Sequence, residues 1–193
     1  MGKRAAPASI SVLTVGHSTR TLAAFVELLQ AHKVKRVIDV RTVPRSRHNP
    51  QFNSESLPEA LSATGIAYRH LPGLGGLRHP RRDSPNTGWR NASFRGFADY
   101  MQTPEFEVGL KELIKLARCR RSAVMCAEAV PWRCHRSLIA DALLARGVKV
   151  EHIMSDKVRR EHTLTPWAKV SGTGITYPPD TLELELESPR NGP

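Results

Sequence analysis

Short apolar runs alternate with segments of helical periodicity along most of this chain. Between the apolar runs, hydrophobic residues recur every three or four positions, the spacing of an amphipathic helix. Runs that are rich in β-branched residues are typical of strands buried on both faces of a sheet. The run over 10–15 is of this kind, and further short apolar runs predict strands over 34–40, 66–72, 122–126 and 148–154.

The helical segments carry recognisable start and stop signals. In "TRTLAAFVELLQAHK", Leu22, Phe25, Val26 and Leu29 share one face, and we expect Ser18 or Thr19 to cap the helix. Further helices are predicted over "SESLPEALSATG", "FADYMQ", "PEFEVGLKELIKLARC" and 134–147. Regular strand–helix alternation predicts a three-layer α/β sandwich with a mainly parallel central sheet of about five strands.

Three segments stand apart from this pattern. Residues 73–96 have no sustained period, and a loop of that length is usually functional or disordered. We expect residues 1–9 to be a flexible N-terminus, residues 10–170 a single domain, and residues 171–193 a partly disordered extension. Within that extension, "TLELELE" is interpreted as a solvated acidic tail rather than an edge strand.

Composition adds a strongly basic character to this picture. The net charge is +11 and derives largely from arginine, so we expect a small anionic substrate as a partner and keep nucleic acid as an alternative. No apolar run approaches the ~20 residues of a membrane span. With three cysteines and no recognisable secretory signal, we expect a cytoplasmic protein with reduced thiols. The sequence does not indicate an oligomeric state.

The ends of the predicted strands gather chemically active side chains. Ligands of open parallel sheets bind beyond the carboxyl ends of the strands. Cys126 is therefore a candidate nucleophile or redox thiol, with Glu128 or His17 moving protons. For Glu128 and Asp39, a salt bridge with a neighbouring arginine is an equally open interpretation. The candidate substrate-binding residues are Ser18, Asp39, Arg41, Arg133, Cys134, His135, Trp89 and Arg90.

The pair Cys126 and Cys134 leaves several interpretations open. Both could be buried structural thiols, Cys134 could resolve an oxidised Cys126, or the two could share a metal with a histidine. Their separation is not the spacing of a zinc knuckle, so no metal site and no cofactor are predicted.

The arginines of the long loop support the alternative hypothesis, a nucleic-acid-binding protein with structural thiols or a bound metal. Arginine interleaved with aromatic residues suits phosphate contact and base stacking. The candidate contacts are Arg78, Arg81, Arg82 and Arg95.

Several motifs in fixed order resemble one protein family. "TVGHSTRTLAAFVELLQAH", "VIDVRTVPRSRHNPQFN", "YRHLPGLGG", "FRGFADYM" and "CAEAVPWRCHRSLIADALLARG" are together similar to the uncharacterised bacterial DUF488 family, over about residues 12–170. The resemblance implies the fold and the stretches that form the site, but no reaction.

A more distant similarity is to rhodanese and cysteine-phosphatase domains, in which an anion-binding loop runs from a cysteine to an arginine. Here the interval from Cys126 to Arg133 is one residue longer than C-x₅-R, and alanine, valine and proline stand in place of glycines. The gathering of reactive groups at the strand ends, rather than this similarity, supports the leading hypothesis, a thiol-dependent hydrolase or transferase acting on a phosphate- or carboxylate-bearing substrate.

Overall fold

A computed structural model describes residues 10–179 as one α/β unit built on a six-stranded sheet. The strand order is β3-β2-β4-β1-β5-β6, parallel throughout except for the antiparallel pair β5–β6. The helices are α1 (Leu22–Ala31), α2 (Leu57–Ser62), α3 (Ala92–Tyr100), α4 (Pro104–Cys119) and α5 (Arg136–Leu144). The strands are β1 (Ser11–Gly16), β2 (Arg36–Asp39), β3 (Ala67–His70), β4 (Ser122–Cys126), β5 (Lys149–Ile153), β6 (Arg159–Glu161), β7 (Lys169–Ser171) and β8 (Gly174–Thr176).

Two hydrophobic cores cover the two faces of the sheet, so the predicted three-layer architecture is confirmed. One core contains apolar residues of α1 and α2, and the other contains those of α3, α4 and α5. Successive residues of β4 alternate between them, Ala123 and Met125 in the first and Val124 and Cys126 in the second. Cys126 thus lies on the face covered by α5.

Two local predictions were wrong. Thr21 rather than Ser18 or Thr19 caps α1, because Thr21 Oγ1 accepts from the Ala24 N–H whereas Ser18 has a left-handed φ of 51° in the preceding turn. The loop predicted over 73–96 ends earlier, because Asn91 caps α3 by accepting from the N–H groups of Ser93 and Phe94.

The chain after β5 adds structure that the sequence pattern did not predict. β6 extends the sheet, and β7 and β8 form a separate hairpin that spans the predicted boundary at residue 170. Tyr177, just beyond the hairpin, is fully buried and donates a hydrogen bond to Asp141 of α5. The "TLELELE" segment lies outside the described residues. Within residues 10–179, no helix has the length and apolarity needed to cross a membrane.

Candidate functional site: a buried thiol pair with an arginine

Parallel strand pairing brings the predicted rim segments together around Cys126. β4 lies between β1 and β2, with Gly16 opposite Cys126 and Asp39 opposite Met125. Beyond the strands, the His17 N–H donates to the Cys126 carbonyl at 3.0 Å and the Ser18 N–H to the Ala127 carbonyl at 2.9 Å. The "GHS", "DVR" and "CAE" segments are therefore neighbours, as the strand-end argument requires.

Arg136, the first residue of α5, contacts the Cys126 sulfur through its guanidinium group. Its guanidinium is 1% exposed, and its Nη1 donates to Cys126 Sγ at 2.8 Å. The same guanidinium donates to three backbone carbonyls, those of Val15, Glu128 and Ala129. No carboxylate within residues 10–179 forms a salt bridge with it. A buried cation is costly without a nearby negative charge, and the Cys126 thiolate can supply that charge.

Cys134 is the second partner of the Cys126 sulfur. The two Sγ atoms lie 2.7 Å apart, and both cysteines are free thiols. Burial alone would raise the pKa of Cys126, but the hydrogen bond from Cys134 and the charge of Arg136 lower it below its ordinary value. The same hydrogen bond, together with burial, raises the pKa of Cys134 well above its ordinary value. Cys126 is therefore the more acidic thiol of the pair, and Cys134 the one that keeps its proton longer as the pH rises.

A cavity of about 260 Å³ is lined by both cysteines, Cys126 and Cys134. His135 lines it, with Nδ1 3.5 Å from Cys134 Sγ and Nε2 3.3 Å from the Val40 carbonyl. Burial lowers the pKa of His135 to about 4, so its ring is neutral at physiological pH. A Cβ atom on Gly76 would lie 2.3 Å from His135 Nδ1, so a glycine is needed where the long loop crosses this ring.

His17, Asp39 and Arg41 form a second polar cluster at the rim. Arg41 and Asp39 are a buried ion pair with a 2.6 Å contact, and Arg41 also donates to the Phe52 carbonyl and to His17 Nε2. Tyr68 donates to Asp39 as well. Burial lowers the pKa of His17, whose two ring nitrogens are engaged by Ser18 and Arg41. Every charged group of this cluster thus has an internal partner.

The other predicted site residues lie at varying distances from the thiols. Glu128 and Arg133 are exposed and line the thiol cavity together with Ser93 and Phe94. Trp89 and Arg90 line a different depression on the surface, beside Trp167. The Trp89 ring packs at a tilt against Phe94, a residue that lines the thiol cavity, with 4.8 Å between ring centroids.

Two of the four predicted nucleic-acid contacts make interactions within the protein. Arg78 lies over the Tyr100 ring at 3.6 Å, and Arg81 pairs with Asp83 at 2.6 Å. Arg82 is exposed and Arg95 is half-buried, and neither forms a salt bridge in the part of the chain that the structure describes.

The residues around the thiols do not form a metal-binding group. No cluster of three or more histidine, cysteine or acidic residues with suitable geometry occurs within residues 10–179. His135 lies beside the thiols through its Nδ1 atom, and its other ring nitrogen, Nε2, is hydrogen-bonded to the Val40 carbonyl.

Sequence reasoning did not identify Arg136, although it lies in the motif "CHR". An arginine in the first turn of a helix is ordinarily solvated, and its burial here depends on carbonyls from two separate segments. The available signal was the density of basic residues beside Cys134, which pointed to Arg133 instead.

Comparisons with known proteins agree with the motifs quoted above. Neither a search of curated proteins nor one of solved structures found a match. The family model described as "Domain of unknown function DUF488" matches residues 21–143, a range that includes both buried thiols and Arg136. The chain therefore belongs to the DUF488 family.

Proposed function

We propose that this protein is a thiol-dependent enzyme in which Cys126 attacks a small anionic substrate and Cys134 resolves the covalent intermediate. The observation that carries the proposal is the environment of Cys126 Sγ, which lies 2.8 Å from a buried guanidinium and 2.7 Å from a second thiol. A structural cysteine needs neither partner. A nucleophilic cysteine, in contrast, needs a nearby positive charge in order to be a thiolate at neutral pH.

The adjacent thiol favours sulfur as the atom that is attacked. The Cys126 thiolate forms a bond to one sulfur of a substrate disulfide, and the other substrate sulfur leaves as a thiolate with the electron pair of the broken bond. Cys134 then loses its proton and attacks Cys126 Sγ, which releases the second substrate thiol. The enzyme is left with a Cys126–Cys134 disulfide, so the substrate gains two electrons and the protein loses two. An external thiol reductant restores the pair.

The surroundings of the thiols support specific roles for other residues. Arg136 is held by backbone carbonyls and stabilises the thiolate. Arg133 is exposed at the cavity and is free to contact an anionic group of the substrate, whereas Arg41 is engaged by Asp39. Glu128 lines the same cavity and is the available carboxylate for proton transfer. A reducing cytoplasm would keep the two thiols ready for reaction.

A small anionic aromatic disulfide, Ellman's reagent, tests this proposal directly. The experiment uses the Cys119→Ser variant, because Cys119 is exposed and would react independently. We expect one reagent molecule to release both of its aromatic thiolates and to leave an internal disulfide without added mass. In Cys119→Ser/Cys134→Ser, one thiolate is released and the other stays attached to Cys126. A stable adduct with Cys134 present, or no reaction under native conditions, would overturn the proposal.

A further inference from the structure

A second cavity, of about 540 Å³, lies on the other side of the segment that carries Cys134. Trp132 and Ser137 line this cavity, while Arg133, Cys134 and His135 line the thiol cavity. Its volume falls in the range that is usual for small-molecule sites. The proposed thiol chemistry makes no use of it.

Three tryptophans give this cavity its aromatic character. Trp89 and Trp167 pack edge to face with 5.1 Å between ring centroids, and Trp132 lines the same space while remaining 55% exposed. A large aromatic side chain left open at the edge of an aromatic cavity is suited to stacking on a flat ring. The cavity is therefore shaped for a planar ligand.

The base of the cavity offers little to a ligand, because its histidines are engaged with one another. His152 Nε2 and His162 Nδ1 lie 3.0 Å apart, His152 Nδ1 bonds Thr14, and His162 Nε2 donates to Asp141. Burial lowers the pKa of His152 to about 3, so this ring is uncharged at neutral pH. Selectivity for charge must come from elsewhere in the lining.

Arg160 supplies a positive charge at the cavity. Its guanidinium carbon lies 5.5 Å from the centre of the Trp132 ring, and it forms no salt bridge within the described residues. Glu161 also lines the cavity. It alternates with Arg160 along β6, so the two side chains point to opposite faces of the sheet and do not form an ion pair with each other. Arginine beside an open indole suits a phosphate that is attached to a flat base.

We propose that this cavity binds one nucleotide, with the base stacked among Trp89, Trp132 and Trp167 and the phosphate held by Arg160. The nucleotide is either a free mononucleotide or one unit of a single-stranded nucleic acid, since both present the same base and phosphate. The site is separate from the thiol cavity, and its occupancy does not depend on the chemistry of Cys126.

Tryptophan fluorescence tests the proposal, with AMP, adenosine and a short single-stranded oligonucleotide as probes. We expect saturable quenching by AMP or by the oligonucleotide. Arg160→Gln should weaken that binding about tenfold or more, because a charge-assisted contact is lost, and should leave adenosine binding unchanged. Trp132→Ala should weaken the binding of all three probes. Because Trp132 is largely exposed, this substitution should not destabilise the fold.

Arg159→Gln is the matched control, because the neighbouring Arg159 already lies 3.0 Å from Glu151. We expect it to bind every probe as the wild type does. Binding of AMP identifies a free nucleotide as the ligand, and binding of the oligonucleotide alone identifies a nucleic acid. Absence of saturable quenching by all probes, or equal losses in Arg159→Gln and Arg160→Gln, would overturn the proposal. The reaction of Cys126 with a disulfide would be unaffected by either result.

Discussion

Arg136 Nη1 lies 2.8 Å from Cys126 Sγ in a part of the protein where neither side chain is more than 2% exposed. This contact joins the start of α5 to the end of β4. The three carbonyls that hold the guanidinium come from β1 and from the loop after Cys126. The position of the cation is therefore fixed by the backbone, and its charge lowers the pKa of Cys126.

Arg136→Lys is predicted to raise the pKa of Cys126. A lysine keeps the charge but cannot donate to three carbonyls and a sulfur at once, so its ammonium group should be drawn away from the thiolate. Thiolate ultraviolet absorbance followed across a pH titration, in the Cys119→Ser background, measures the effect. Arg133→Lys is the control at the exposed neighbouring arginine and should leave the titration unchanged.

Cys134→Ala is also predicted to raise the pKa of Cys126, because the thiolate loses its hydrogen-bond donor. Cys134→Ser keeps a hydroxyl donor at the same position and should restore part of the effect. The same thiolate titration distinguishes the three proteins. Equal pKa values for the alanine and serine variants would show that the hydrogen bond does not tune Cys126.

Gly16→Ala is predicted to disrupt the site from β1. A Cβ atom at Gly16 would lie 1.9 Å from the Glu128 carbonyl oxygen, so the loop that holds Arg136 would have to move. We expect a loss of about 1–3 kcal/mol in the free energy of unfolding, the usual cost of forcing extra atoms into a packed site. Denaturant unfolding measures it.

The matched control is Gly73→Ala, since nothing lies within 4 Å of a Cβ atom there and the residue has no positive φ. We expect Gly73→Ala to unfold at the wild-type denaturant concentration. An equal loss in both variants would argue against close packing at Gly16.

Acid is predicted to destabilise the protein through His152. Burial lowers its pKa from 6.5 to about 3 in the folded protein, so the folded state binds this proton less readily than the unfolded chain does. The corresponding stability is fully present above pH 6.5 and is lost as the pH falls toward 3. Denaturant unfolding at several pH values should show a smaller acid loss in His152→Gln than in the wild type. Parallel curves would contradict the assignment.

The sequence predicted the central strands β1, β2 and β4 well because they are buried on both faces of the sheet. A short, fully buried apolar run such as 122–126 is typical of a central strand, and parallel pairing then places Cys126 beside Gly16 without further information. The rim of the sheet was predictable for the same reason.

Other parts of the site depend on contacts between distant segments, which local patterns do not record. The burial of Arg136 requires carbonyls from β1 and from residues 128 and 129. The hairpin β7–β8 is short and β7 is exposed, so its sequence lacks the strong apolar alternation that would predict a strand. It is held to the domain by Tyr177, which hydrogen-bonds to Asp141 and Asn86. The sequence left two interpretations of Asp39 open, a substrate-binding residue or the salt-bridge partner of an arginine, and it could not decide for the pair with Arg41 that the structure has.

The central claim is that Cys126 is a thiolate at neutral pH, and its alkylation rate tests this most directly. The measurement follows modification of Cys126 by iodoacetamide as a function of pH in Cys119→Ser, with the site of modification mapped by mass. We predict a rate that rises at a pH clearly below the one at which the denatured protein's thiols ionise. A native profile that follows the denatured one, or that lies above it, would contradict the account.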